Sequence, residues 1–173
     1  MLLRIMNIDD IKNFSGKIGV KDAKELQNEL STKVIQKNGF KKLQIISGID
    51  LSIIKEKKKL ISGIVSFSYP RMEIIERVSR VVDETFPYIP GLLSFREGPA
   101  ILQTLDDLKH TPDLLVFDGQ GIAHPRGLGI ASFIGVLTGI PSFGIAKKKL
   151  FGEYTEPDIE AGSHSDLLHP EDK

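Results

Sequence analysis

Apolar positions early in the chain follow a helical period. Between residues 22 and 37, Leu26, Leu30 and Val34 lie four residues apart, which places them on one face of a helix. Gly39 follows, and glycine commonly closes helices. The pattern therefore predicts a helix over 22–37 whose apolar face covers a sheet.

The next segments change to a strand period. Apolar residues alternate over 43–53, and a second extended run follows over 60–69. Such alternation is typical of a strand, and the charged link 55–59 joins the two runs as a hairpin. Residues 72–82 fit a helical face and a strand, and periodicity alone leaves that segment open.

The second half of the chain alternates helix and strand. The pattern predicts helix 95–109, strand 113–117, a glycine-rich loop 119–127, helix 128–138 and strand 142–146. Strand, helix, strand connections of this length favour parallel pairing with right-handed crossovers. The expected fold is therefore α/β, an RNase H-like mixed sheet that is antiparallel at the start, parallel later and flanked by helices.

The composition fits one compact domain. A chain of 173 residues with 40% hydrophobic content can bury one core but is short for two. We expect an N-terminal helical segment over 1–40, the core over 41–152 and an acidic segment over 153–173. The sequence has no cysteine, which excludes disulfides and cysteine-rich zinc sites and fits a reducing cytoplasm. Any metal must be held by carboxylates or histidines.

Two apolar stretches have to be weighed as membrane segments. At the amino terminus Asp9 and Asp10 interrupt the few apolar residues, so neither a signal peptide nor an anchor is expected. The uncharged run 127–146 is about long enough to span a bilayer and precedes three lysines. Its five glycines and Pro141 favour a helix, a turn and a short strand instead. We expect a cytoplasmic protein without a membrane segment.

The charge is unevenly distributed, although the formal net charge is zero. Residues 153–173 hold seven acids and one base, which leaves a net charge of +6 on the first 152 residues. A basic body suits a polyanion such as nucleic acid, although surface lysines commonly serve only solvation.

Two aspartates occupy positions that suit a metal site. Asp50 interrupts an apolar strand, where an unpaired buried carboxylate is costly unless a positive group meets it. The alternative is that Asp50 lies on the solvent face of an edge strand. Asp118 follows a strand at its carboxyl end, where open α/β sheets present ligand-binding groups, and with Gly119 it also fits a plain turn. If the two strands are neighbours, both carboxylates converge and Mg²⁺ is the natural occupant.

Glu97 and His124 are weaker candidates when taken alone. Glu97 falls near a helix start, where a glutamate is often only a favourable first-turn charge. His124 lies in the glycine-rich loop close after Asp118, so it suits a proton shuttle or a phosphate contact. A loop histidine without a function is equally frequent.

Tyr88 and Lys147 suit contacts with nucleic acid. Tyr88 stands between Pro87 and Pro90 on a rigid turn, a shape suited to insertion between stacked bases. The alternative is a buried turn anchor. Lys147 follows a buried strand and is placed to meet a phosphate. None of these signals alone names a function.

Four motifs taken together resemble the endonuclease V family. They are GID at 48–50, YIPGLLSFRE at 88–97, DGQGIAHPRGLG at 118–129 and GIAKK at 144–148. The motifs come in the family's order within residues 43–151, and the two long runs are far more specific than any lone carboxylate. The resemblance also favours a strand over 72–82, which completes three antiparallel strands before the first crossover helix.

The resemblance implies an RNase H-like metal site. Asp50, Glu97 and Asp118 correspond to the family's metal-binding carboxylates, with Mg²⁺ as the cofactor and Mn²⁺ as a substitute. His124 and Lys147 are implied to support the catalytic step.

The implied function is that of an endonuclease which recognises deaminated purines, above all inosine, in DNA or single-stranded RNA. In this family the cut falls one nucleotide beyond the lesion on its 3′ side and leaves a 5′-phosphate. Two groups of residues are implied to contact the substrate, a wedge beside the lesion (Pro87, Tyr88, Ile89 and Pro90) and a pocket for the flipped base (Gly119, Gly129 and Gly144). Glycines suit such a pocket because the backbone can then approach the base closely.

One departure from the family concerns the carboxyl-terminal end. Family members usually continue with a further strand and helix that bring a final histidine or aspartate to the metal site. His164, Asp166 and His169 lie in that direction, but their setting reads as a loop and they are not assigned a role. The competing hypotheses are a truncated, catalytically weak nucleic-acid-binding protein and a structure-specific nuclease of the same fold. A monomer is expected in each case.

Overall fold

The computed structural model describes residues 8–12, 18–40 and 42–171. Parts of the predicted N-terminal segment, the residue at position 41 and the last two residues of the predicted acidic segment lie outside this description. The elements in chain order are α1 (Ile8–Lys12), α2 (Val20–Ser31), β1 (Ile45–Ile54), a 3₁₀ turn (Lys55–Lys57), β2 (Lys59–Ser68), β3 (Ile74–Asp83), α3 (Leu93–Leu105), β4 (Leu114–Phe117), α4 (Ile130–Thr138) and β5 (Ser142–Gly144).

The strands form one mixed sheet in the order β3-β2-β1-β4-β5. β1 pairs antiparallel with β2, and β2 pairs antiparallel with β3. β4 pairs parallel with both β1 and β5. The expected sheet, antiparallel first and parallel later, is confirmed, and the segment that periodicity left open is strand β3.

Two predicted helices are shorter than their periodicity suggested. α2 was expected to continue to residue 37 but ends at Ser31, where the hydroxyls of Ser31 and Thr32 each donate to a carbonyl of the preceding turn at 2.8 Å. Such side-chain bonds to the backbone compete with continued helix. α3 was expected to reach residue 109 but ends at Leu105. The two aspartates that follow are paired instead with Lys12 and Arg80, partners that are distant in sequence.

The other boundaries differ by small amounts. α4 begins at Ile130 rather than at 128 because Gly129 is still extended. It ends at Thr138, as predicted, and is followed by Gly139, whose φ of 71° is left-handed. α3 begins two residues earlier than expected, at Leu93. β5 ends at Gly144 rather than at 146.

The helices cover one face of the sheet. The buried side chains of Ile49, Ile64 and Phe117 project from that face into a core shared with α3 and α4. Phe95 of α3 and Phe133 of α4 meet there, with ring centroids 5.3 Å apart. This contact joins α3, which packs on the antiparallel strands β2 and β3, to α4, which packs on the parallel strands β4 and β5.

The opposite face of the sheet carries no helix within the described residues. A Cβ built on Gly48 of β1 or on Gly63 of β2 would have no neighbour within 4 Å. On β3 the side chains of Ile75 and Val81 are 41% and 55% exposed. The sheet therefore presents an open face, which includes the side of β1 that bears Asp50.

No helix among the described residues is long and apolar enough to cross a membrane. The uncharged run at 127–146 contains α4, a turn and β5, as its glycines and proline predicted.

Phenylalanines at two positions allow a direct test of where the core lies. Phe133→Ala is expected to lower the free energy of unfolding by about 3–5 kcal/mol, because Phe133 is fully buried and its removal leaves a cavity. The matched control Phe143→Ala removes the same atoms from a side chain on β5 that is 45% exposed, and a loss under about 1 kcal/mol is expected. Urea unfolding measures both. Equal losses would show that the core does not lie between α3 and α4.

Candidate active site

Parallel pairing of β1 and β4 brings two aspartates together. Ile49 of β1 is opposite Phe117, the last residue of β4, so Asp50 is the next residue of β1 and Asp118 directly follows β4. Ile49 is buried beneath the helices, and side chains alternate along a strand, so Asp50 projects to the open side. Asp118 is exposed just beyond the end of β4. Asp50 is exposed, so the expectation of a buried carboxylate is wrong and its position on the solvent face is confirmed. β1 lies between β2 and β4, however, so it is not the edge strand of that alternative.

Glu97 approaches the same carboxylates from α3. It is the fifth residue of the helix, and the first turn of α3 holds no acidic residue, so its interpretation as a first-turn charge is wrong. Burial raises the pKa of Glu97 to about 7, with the negative charge of Asp50 adding to the rise and Arg96 opposing it. The charge of Asp50 is therefore near enough to disfavour ionisation of Glu97.

Lys147 is paired with Asp118. Its Nζ donates to the Oδ2 of Asp118 at 2.5 Å, although the lysine side chain is largely exposed. This hydrogen bond and the charge of Asp118 raise the pKa of Lys147. The residue predicted to meet a phosphate thus lies beside the predicted metal-binding carboxylates.

His124 is buried and both of its ring nitrogens are engaged. Nδ1 accepts the Arg126 backbone N–H at 3.1 Å, and Nε2 lies 3.1 Å from the carbonyl oxygen of Gly91. Burial lowers the pKa of His124, and the charge of Arg126 lowers it further. In this structure His124 is a neutral link between two loops, and its catalytic role stays a prediction.

The three predicted pocket glycines lie together. A Cβ on Gly129 would come 2.3 Å from the carbonyl oxygen of Gln120, and a Cβ on Gly144 would come 2.0 Å from that of Gly119. A Cβ on Gly119 would in turn meet Ile130 at 2.7 Å. These positions require glycine because protein atoms already lie against them, which is a different reason from the predicted approach to a base. Their contact with a base stays a prediction.

The predicted wedge projects from the molecule. Tyr88 is 63% exposed, so its interpretation as a buried turn anchor is wrong. The anchor is its neighbour Phe86, which is buried against Phe95 with centroids 5.9 Å apart. The Arg96 guanidinium lies 5.8 Å from the centre of the Tyr88 ring and is also paired with Glu84 at 3.0 Å.

Sequence reasoning missed two residues next to the candidate site. Gln27 is completely buried on the apolar face of α2, for which the periodicity indicated only apolar residues. Arg126 lies within the motif at 118–129 but was assigned no role, and its side chain bonds to Gln27 and to the Gly91 carbonyl. The available signal was a polar residue at helical spacing among apolar ones.

The carboxylates suit a divalent cation by their chemistry. Oxygen ligands are those that Mg²⁺ prefers. The pKa of Glu97 is raised chiefly by burial, with a smaller contribution from the charge of Asp50, and a nearby cation would favour the ionised carboxylates. Within the described residues, however, no three His, Cys, Asp or Glu side chains form a group that could hold a metal ion. His164, Asp166 and His169 belong to no such group either.

A mixed sheet in this order, with carboxylates on β1, on α3 and after β4, is an RNase H-like fold. A family model described as Endonuclease V matches residues 28–173. The chain belongs to the endonuclease V family, as its motifs had indicated.

Individual relatives support the same assignment. The Endonuclease V of Dictyoglomus thermophilum is 49% identical over 147 residues, which are 84% of this chain and 63% of the relative. The structure of the Streptomyces avermitilis Endonuclease V matches with a TM-score of 0.82 at 35% identity, over 88% of this chain and 68% of that one. A Ciona intestinalis Endonuclease V, solved with a 23mer DNA containing an inosine followed by a ribo-adenosine, matches with a TM-score of 0.70 at 31% identity, over 78% of this chain and 59% of that one.

The chain is shorter than these relatives. It spans 63% and 65% of the length of the two Dictyoglomus proteins that it matches.

The raised pKa of Glu97 makes stability depend on pH. In the folded chain Glu97 keeps its proton up to about pH 7, whereas the unfolded chain releases it near the ordinary value of 4.5. Stability is therefore lost as the pH rises from the lower value to the higher and stays constant above it. With a chelator present, Glu97→Gln is expected to raise the melting temperature by a few degrees at about pH 8 and to leave it unchanged at about pH 4.

Melting curves of the wild type and Glu97→Gln across this range measure the difference. Asp83→Asn is the matched control, because Asp83 is an exposed carboxylate at the end of β3. A difference in melting temperature between the wild type and Glu97→Gln that is the same at all pH values would contradict the raised pKa of Glu97.

Proposed function

We propose that this chain is a metal-dependent endonuclease that recognises inosine in nucleic acid and hydrolyses a phosphodiester bond one nucleotide 3′ of it. The observation that carries the proposal is the pairing of parallel strands β1 and β4, which places Asp50 on β1 beside Asp118 directly after β4, with Glu97 near Asp50. An exposed aromatic wedge on the loop before α3 adds a group that can enter a base stack. Membership of the endonuclease V family, and the Ciona relative's inosine-containing DNA, support the choice of substrate.

Mg²⁺, with Mn²⁺ as a substitute, is the proposed cofactor. Asp50, Glu97 and Asp118 would hold it through carboxylate oxygens. When bound, such an ion activates water for in-line attack and offsets charge on the leaving 3′ oxygen.

The remaining groups position the substrate. Lys147 is protonated at neutral pH, and its hydrogen bond to Asp118, which also raises its pKa, would hold this positive charge beside the carboxylates for the scissile phosphate. Tyr88 would fill the space left by the flipped base, and the backbone around Gly119 and Gly144 would line the pocket that receives it. His124 would act by holding the loop that carries this pocket.

Several finer expectations belong to the same proposal. The products would carry a 3′-hydroxyl and a 5′-phosphate, the working substrate would be DNA or single-stranded RNA, and the protein would act as a monomer in the cytoplasm. These expectations stay predictions.

A second candidate is binding of nucleic acid without efficient cleavage. One observation favours it: among the described residues, no three potential metal ligands form a cluster. This candidate predicts salt-sensitive binding without product.

Cleavage of labelled strands decides between the two candidates. With Mg²⁺ the chain is expected to nick an inosine-containing strand but not its adenosine counterpart, and chelator is expected to abolish the product. Asp50→Asn and Asp118→Asn are expected to lower the nicking rate by more than about 100-fold, because loss of a direct ligand exceeds the effect of outer partners. Asp83→Asn, at the exposed end of β3, is the control and is expected to cut normally.

Each other result has a definite meaning. Binding that prefers inosine without any nicking would support the second candidate. Equal treatment of inosine and adenosine strands would refute the proposed substrate, and nicking that survives in both asparagine variants would refute the proposed site.

A further inference from the structure

A buried amide connects α2 to the loop after β4. Gln27 is completely buried, and its Nε2 donates to the carbonyl oxygen of Leu128 at 2.8 Å. Its Oε1 accepts from the Nε of Arg126 at 2.5 Å. The two bonded residues are about one hundred positions away in the sequence, so tertiary packing alone creates the link.

Arg126 extends this link to the wedge. Its Nη2 donates to the carbonyl oxygen of Gly91 at 2.5 Å, and the Nε2 of His124 lies 3.1 Å from the same oxygen. Gly91 directly follows Pro90, the last wedge residue, and its φ of 77° is left-handed. A Cβ at this position would come 2.8 Å from Nη2 of Arg126. The backbone is therefore held by these contacts at Gly91, where the wedge ends.

The first end of the wedge is held by different means. Phe86 is buried against the Phe95 ring, and Arg96 pairs with Glu84. Between these two ends Ile89 packs against the core, whereas Tyr88 is 63% exposed. The direction of the wedge therefore depends on these three contacts, of which the one at Gly91 runs through Arg126 to Gln27.

Chemistry favours a positioning role over simple filling of space. A buried amide without partners is costly, and an apolar residue at its place would fill the helix face more cheaply. Gln27 has a partner for each half of its amide, and both partners belong to the loop segment that follows Asp118. The planar Arg126 guanidinium holds its N–H donors in a fixed fork, so Nε bonds Gln27 while Nη2 bonds Gly91.

We infer that Gln27 is a positioning residue, which through Arg126 holds the wedge in the orientation needed to enter the base stack beside inosine. The purpose of the wedge rests on the proposed function. The mechanical link between Gln27 and the wedge does not, so the two are tested separately. Gln27 lies one residue before the range that the family model matches.

Backbone order parameters from ¹⁵N relaxation test the link without any activity measurement. The chain has a mass of 19.2 kDa and carries reporting amides at Tyr88, Ile89 and Gly91. In the wild type these amides are expected near the rigid value of about 0.85, and in Gln27→Leu below about 0.6, because Arg126 then loses the partner that orients it.

Three further variants make the result specific. Gln27→Glu keeps an oxygen acceptor for Arg126 and is expected to keep the wedge rigid. Leu30→Ala loosens the same buried face of α2 without touching a polar contact, and it is also expected to keep the wedge rigid. Arg126→Lys leaves α2 unaltered but removes the planar fork, so it is expected to reproduce the loss of order even if Gln27→Leu does not fold.

The inference is overturned if the wedge amides stay rigid in a folded Gln27→Leu, whatever Arg126→Lys shows, or if they stay rigid in Arg126→Lys. It is equally overturned if Leu30→Ala loosens them as much, since general loosening of α2 would then be the cause. The inference is supported if the order parameters of the wedge amides fall in Gln27→Leu and Arg126→Lys but not in Gln27→Glu or Leu30→Ala.

Binding to labelled strands tests whether the orientation of the wedge contributes to the recognition of inosine. Gln27→Leu is expected to lower the preference for inosine over adenosine strands by about tenfold, while Gln27→Glu retains it, because a mobile wedge must be ordered on binding. A wild-type chain with no inosine preference would refute the proposed function, and the order parameters would still decide the link. A preference that is unchanged in a variant with a mobile wedge would overturn the positioning role.

Discussion

Parallel pairing between β1 and β4 is the contact on which the candidate site depends. It sets Ile49 opposite Phe117, so the residue that follows each of them is an aspartate, Asp50 within β1 and Asp118 directly after β4. The two buried residues also contribute to the core beneath the helices. A shift of one residue would move one aspartate to the covered face, because side chains alternate along a strand. Burial of the apolar partners therefore determines the register that the carboxylates share.

The negative charges of the candidate site are only partly compensated by positive side chains, which suits the proposed binding of a divalent cation. Burial and the nearby Asp50 raise the pKa of Glu97, while Asp118 is compensated by Lys147. A site built only for stability would gain little from crowding carboxylates, since like charges at short range oppose ionisation. The same crowding is useful where a divalent cation and a phosphate have to be bound together.

The sheet is covered on one side only within the described residues. The open face carries apolar side chains of β3 and glycines of β1 and β2, and relatives of the family are longer than this chain. Large exposed apolar surfaces are uncommon on soluble monomers. The monomeric state stays a prediction, and the open face is the part of the molecule that bears most directly on it.

By itself the sequence determined the class of fold, because period-two and helical patterns are local and survive in any arrangement of the elements. Its long motifs also determined the family, and they indicated Asp50, Glu97 and Asp118 as candidates. Tertiary structure alone decided that Glu97 lies close to Asp50 and that α2 ends at Ser31. It alone revealed the buried amide of Gln27, because hydrogen bonds between residues a hundred positions apart leave no periodic trace in a sequence.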